Sequence, residues 1–220
     1  MGLCGRILLA LGASLLAEPV SAEPQISFQI GHVTYVMPMP AGYCSAKDVD
    51  PKAYKVAVDA NRNEKTLAII EPCQTQGVLS DFTAITSSRV LEDLHDITPR
   101  EVIARLGGPG SLNVNFAQLD LNISAALGRQ VSMAGSAVRL GHDDFCMFQV
   151  GSAQLSTAGL AAIRMSAGTC FTAVGGHELA VTSYGGGSGA TEFSRLVREA
   201  EELARSISVG PGAGAHPRAR

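Results

Sequence analysis

The stretch Ala161–Tyr184, AAIRMSAGTCFTAVGGHELAVTSY, decides the fold class. Two apolar runs, Ala161–Val174 and His177–Tyr184, flank Gly175-Gly176. A glycine pair between two such runs marks a two-residue hairpin, because the tight turn wants positive φ at both positions. Upstream, Ala137–Leu140 and Phe145–Ala153 read as strands around a turn at Gly141-His142-Asp143-Asp144. Phe145 and Met147 alternate with Cys146 and Phe148, yet all four are apolar, so this strand is expected to be central and covered on both faces. Downstream, Gly185–Gly189 is a flexible connection to a helix beginning near Thr191. Phe193, Leu196, Val197, Ala200, Leu203, Ala204 and Ile207 recur at helical spacing, and Arg195, Arg198, Glu199, Glu201, Glu202 and Arg205 fall largely on the other side. That pattern predicts an amphipathic helix with its stripe against a sheet.

The first half of the chain extends the same plan. Ile26–Met37 predicts one or two strands broken at Gly31 and ended by Pro38-Met39-Pro40-Ala41-Gly42. Asp50-Pro51 pairs a capping side chain with proline at the first helical position, which opens a helix through about Ala60. Thr66–Glu71 is a short apolar strand stopped by Pro72, and Asp81–Val90 is a further strand. Thr98-Pro99-Arg100-Glu101 has the spacing of a capping box and predicts a helix ending at Gly107, followed by a loop through Gly108-Pro109-Gly110. A second helix is expected from about Asn115 to Leu127, with Phe116, Leu119, Ile123, Ala126 and Leu127 on one face and Gly128 ending it. Strands and helices that do not alternate strictly give the α+β class, a mostly antiparallel sheet packed by helices on one or both faces. No internal repeat is present, so residues 23–209 are expected to form one globular domain and 210–220 a disordered tail.

The N-terminus predicts export. Met1–Arg6 is short and basic, Ile7–Leu16 is a compact apolar run, and Val20-Ser21-Ala22 offers a small-x-small cleavage site before Glu23, so residues 1–22 read as a signal peptide. The run is about half of what a spanning helix needs, so no membrane span is expected in the mature chain. A net charge of −3 without a basic stripe gives no reason to expect nucleic acid or an anionic membrane as partner. Aromatic residues make up 5% of the chain and tryptophan is absent, which disfavours carbohydrate binding by ring stacking.

Cys4 leaves with the signal peptide, and Cys44, Cys73, Cys146 and Cys170 remain. An even count in an exported chain predicts two disulfides, with three pairings open. Cys44–Cys73 and Cys146–Cys170 are the expected pairs, since each closes a modest loop around neighbouring extended segments. No C-x-x-C occurs and no histidine stands at ligand spacing, which disfavours a redox pair or a zinc site.

His142, Asp143 and Asp144 are the most suggestive chemical cluster, an imidazole and two carboxylates in one turn; adjacent side chains rarely converge on one metal ion, so a polar turn initiating the strand at Phe145 is the expected reading. Glu92-Asp93-Leu94-His95-Asp96 offers a titratable imidazole among acids, or a solvated loop before Thr98. Gly107–Ser111 and Gly185–Gly189 lack the residues of a phosphate-binding loop and read as linkers, the second as a possible lip over a groove. Asn122-Ile123-Ser124 matches the glycosylation triplet but falls in a predicted helix. Met37 and Met39 read as packing rather than a copper site, no Gly-x-Ser-x-Gly marks a hydrolase, and no cofactor is implied.

The order of elements resembles the PsbP-like proteins. The resemblance rests on Tyr35-Val36-Met37-Pro38-Met39-Pro40-Ala41-Gly42-Tyr43, similar to that superfamily's opening strand and Pro-x-Gly-aromatic turn. It rests also on the hairpin strand Val174–Tyr184 and the helix Thr191–Ile207. It covers the two ends of the mature chain; the paired cysteines and the helical insert between about Thr98 and Gly128 depart from it. The resemblance implies an α/β/α sandwich and an accessory or binding role without catalysis. The expectation is therefore a periplasmic or secreted non-enzymatic protein of the cell envelope, whose partner is an envelope protein or a small ligand. The alternative is a small periplasmic hydrolase using a metal or carboxylate site near His142–Asp144.

Overall fold

The computed structural model describes residues 24–61, 64–74, 81–89, 96–112, 116–127, 130–157, 159 and 161–211. The predicted signal peptide, Glu92–His95, Gly128 and residues 212–220 lie outside them. Elements form where local chemistry starts and stops them. After β1 (Gln25–Ile30), β2 (Val33–Pro38), β3 (Tyr43–Ser45) and α1 (Ala46–Val49), Asp50 accepts the N–H groups of Lys52 and Ala53 and opens α2 (Pro51–Ala60). Then come β4 (Glu64–Pro72) and β5 (Phe82–Ser88). The capping box forms in both directions: Thr98 Oγ1 accepts from Glu101 N, the Glu101 carboxylate accepts from Thr98 N, and α3 (Pro99–Leu106) follows. The remaining elements are β6 (Gly110–Leu112), α4 (Phe116–Leu127), β7 (Val131–His142), β8 (Met147–Thr157), β9 (Ile163–Val174), β10 (His177–Gly185), α5 (Ala190–Ser206) and β11 (Ser208–Val209).

The decisive hairpin closes as read. Val174 pairs with His177, and Gly175 and Gly176 take φ of 55° and 88°. Eight strands form one sheet in the order β3-β4-β5-β10-β9-β8-β7-β6, and β1, β2 and β11 form a second, smaller one. Every strand pair among the described residues is antiparallel.

Strand alternation sorts the core into two faces. Ala68, Ile70, Ile85, Leu179, Val181 and Cys170 pack with Ala200, Leu203 and Ala204 of α5 and with Phe28, Ile30, Tyr35 and Met37 of the small sheet. Ile69 and Ala84, on the other side of the same strands, pack with Ala46 of α1 and Tyr54 and Ala57 of α2. Helices therefore sit on both faces of the large sheet, in an α+β architecture with two disulfides, Cys44–Cys73 and Cys146–Cys170.

Three local expectations shift. β7 begins at Val131 instead of Ala137 and pairs with β8 over nearly its whole length; its small and polar start hid the strand pattern. β8 begins at Met147, because the Asp143 side chain draws the N–H groups of Phe145 and Cys146 into the preceding turn. Within α4, Asn122 is buried and Leu121 is 66% exposed. A polar seam joins the helix to the sheet: Met133 N–H donates to Asp120 Oδ1 and Val131 N–H to Ser124 Oγ, so two side chains one turn apart cover the edge of β7. Finally, the chain past α5 pairs with β2, and Gly210 N–H donates to Thr34 O; Gly210 is buried within the fold.

Candidate functional site

The cluster at the β7–β8 turn is a built corner. Asp143 Oδ1 accepts from Phe145 N at 2.8 Å and Cys146 N at 2.5 Å, and Oδ2 accepts from Arg205 Nη2 at 2.7 Å. Burial pushes the Asp143 carboxyl up, but the two backbone donors and the guanidinium outweigh it and hold the group below its ordinary value. Arg205 also donates to Glu201 and lies 4.5 Å from the centroid of the Phe145 ring. His142 Nδ1 contacts the Asp143 carbonyl, and the Asp144 side chain is 94% exposed. The three side chains therefore take separate tasks. Among the described residues no three His, Cys, Asp or Glu side chains gather where they would hold a metal ion.

The other sequence-nominated residues disperse. Met37 is in the core, whereas Met39 packs at its margin. Asn122 is buried, so its amide is closed to glycosylation in this conformation. Gly107 ends α3, Gly110 and Ser111 enter β6, and Gly185 ends β10. Cys146–Cys170 is fully buried beside α5, while Cys44–Cys73 ties the edge strand β3 to the end of β4 near the surface.

Two grooves flank α5. On one side Pro38, Met39, Pro40 and Tyr43 face Glu199, Glu202, Leu203 and Ser206 across about 290 Å³. The floor carries a polar network. Tyr43 Oη and Thr83 Oγ1 donate to Glu199 Oε1, Arg195 Nη1 donates to Glu199 Oε2 at 3.1 Å, and Thr83 meets Ser183 at 2.9 Å. Burial raises the Glu199 carboxyl, opposed by Arg195 and by the hydrogen bonds from Tyr43 and Thr83. Glu199 is thus consumed in fastening α5 to the sheet.

The larger groove, about 490 Å³, lies on the other side of α5. Its floor is Phe148 and Val150 of β8, its lip is Leu140 of β7, and its wall is Ala190, Phe193 and Val197 of α5, with Ser194, Arg198 and Glu201 at the rim. Its origin is the seat of α5. Gly168 of β9 has no side chain, and a Cβ there would collide with the Leu196 and Val197 backbone, so α5 rides directly over β9 and β10. A helix is about 10 Å wide and strands are about 4.8 Å apart, so α5 covers roughly two strands. The same face of β7 and β8 is left beside it. Val138, opposite Val150 in the register, is 38% exposed and Leu140 is 52% exposed. β8 is interior to the sheet, and Met147 and Val150, on its opposite faces, are both buried, while Phe148 is half-buried in the groove.

The sequence pattern placed these residues only within strands and on the apolar stripe of the helix. Their signal was the apolar alternation Val138-x-Leu140 combined with Phe148-x-Val150, which says that a face is apolar but not whether a helix covers it. No protein-family model matches the chain, and no curated protein matches it.

Proposed function

We propose that this protein is an exported, non-enzymatic accessory or binding module of the cell envelope, periplasmic or secreted, that works through the groove between α5 and β7–β8. The observation that carries this reading is the concave apolar surface itself, with Leu140 exposed at its lip and Val138, the cross-strand neighbour of Val150, exposed beside it. Contiguous exposed apolar surface rimmed by polar groups marks an interaction site. Two disulfides fit an oxidising compartment, and no described helix is long and apolar enough to cross a membrane. The PsbP-like resemblance, with its accessory role, points the same way. Asp143, the best-placed acid of the hydrolase alternative, spends both oxygens on the corner.

The test is native mass spectrometry of the mature protein isolated from its own envelope, as wild type and as Leu140→Gln. A bound partner or small molecule present on the wild type and lost from the variant is the expected result. A bare chain in both, or an adduct indifferent to Leu140, overturns the reading.

A further inference from the structure

We infer that the groove beside α5 receives an amphipathic helix of a partner protein, apolar on one face and acidic along the edge that meets Arg198. This inference rests on the groove being the functional surface. Its shape argument is the open face beside α5: along β7, Val131 and Ala137 on one side are buried, whereas Ser132, Ala134, Ser136, Val138 and Leu140 on the side that continues from the groove are all exposed. The groove runs along α5 from Ala190 to Glu201, about 16 Å at the helical rise, or three turns. A helix laid there buries the exposed Val138 and Leu140, with Phe148 and Val150 beneath it and Phe193 and Val197 alongside, the ordinary mode of helix-in-groove recognition.

The charge argument selects the partner. Glu201, at the rim, already accepts from Arg205 Nε at 2.9 Å, and Arg205 is further engaged by Asp143. Arg198 lines the same groove, and no described carboxylate pairs with it. Arg198 is therefore the lining guanidinium without a described carboxylate, whereas Glu201 shares Arg205 with Asp143 and Asp144, so an acidic partner edge placed at Arg198 gains an ion pair there and a basic edge meets repulsion at that residue.

The probe is a fluorescein-labelled helical peptide of about four turns, leucines on one face, with either glutamates or lysines along one edge, titrated by fluorescence anisotropy. The glutamate peptide is expected to bind roughly tenfold or more tightly than the lysine peptide, with the gap narrowing in high salt. Arg198→Glu reverses the preference. Val138→Gln with Leu140→Gln, both at exposed positions, weakens both peptides while thermal melts remain unchanged. Binding that depends on Val138 and Leu140 but ignores the charge swap overturns the acidic partner and leaves the groove reading standing. Binding indifferent to Val138 and Leu140 overturns both. Self-association in sedimentation velocity that is abolished by the same two substitutions makes the occupant a second copy. Arg198-dependent capture by phosphatidylglycerol vesicles, without peptide binding, makes it a lipid surface. Either outcome overturns the inference.

Discussion

The Asp143 carboxylate satisfies two backbone N–H groups with one oxygen and Arg205 with the other, so its removal leaves donors at a half-buried corner without partners. Asp143→Ala is expected to destabilise the fold by about 1–2 kcal/mol, the scale of losing a helix cap, and Asp144→Ala to stay within about 0.5 kcal/mol. Chemical denaturation of the two variants checks the contrast. Because the Asp143 carboxyl is depressed in the folded state, its contribution is present above the ordinary carboxylate range and is lost as pH falls through the folded value. Glu71 behaves oppositely. It is 2% exposed on β4, and burial, then the nearby charge of Asp50, raises its carboxyl. The folded state therefore holds that proton more tightly, and ionisation at higher pH opposes folding. Glu71→Gln is expected to raise Tm at mildly alkaline pH and to lose that advantage in mild acid, which thermal melts across pH will show. The Tyr35 hydroxyl, 2.7 Å from His177 Nδ1 and within reach of the Val174 carbonyl, pins the small sheet to the hairpin turn. Burial pushes it up to about 12, so it stays protonated across the ordinary range.

Helix α5 was legible because its stripe and its charges separate at helical spacing, and the buried set Leu196, Ala200, Leu203 and Ala204 lies on the predicted face. The hairpin and the Thr98 capping box were legible for the same reason: each is a local signal read within a few residues. What stayed hidden depends on elements distant in sequence. The start of β7 is recognisable only beside β8, and the role of Asp120 and Ser124 only beside the edge they cover. The groove was hidden likewise. Leu140 and Phe148 are apolar like core residues, and their place at an open groove follows from Gly168 seating α5 over β9 and β10. Gly168→Ala is expected to cost about 1–3 kcal/mol by forcing α5 off the sheet, since the neighbours are backbone and cannot rotate away. Urea unfolding gives the cost.

On the scale of the molecule, the two disulfides tie separate parts of the large sheet, one at its edge and one in its interior. Cys146–Cys170 anchors the β7–β8 turn to β9, and Cys44–Cys73 holds the edge strand β3. Each closes a loop for which the chain-entropy model gives about 3.5 kcal/mol, so replacing either pair by alanines is expected to lower stability by that order in equilibrium unfolding. The reduced protein should gain four hydrogens in intact mass, two for each bond. The corner at Asp143 and the network at Glu199 are both consumed in holding α5, and the surface we propose for recognition is the slot over β7 and β8. The measurement that addresses this most directly is amide chemical-shift mapping of the isotopically labelled protein during titration with the glutamate-edged peptide. The account predicts shifts concentrated at Leu140, Phe148, Val150, Phe193, Val197 and Arg198. Shifts centred on Met39, Tyr43 and Glu202 across α5, or none at saturating peptide, contradict it.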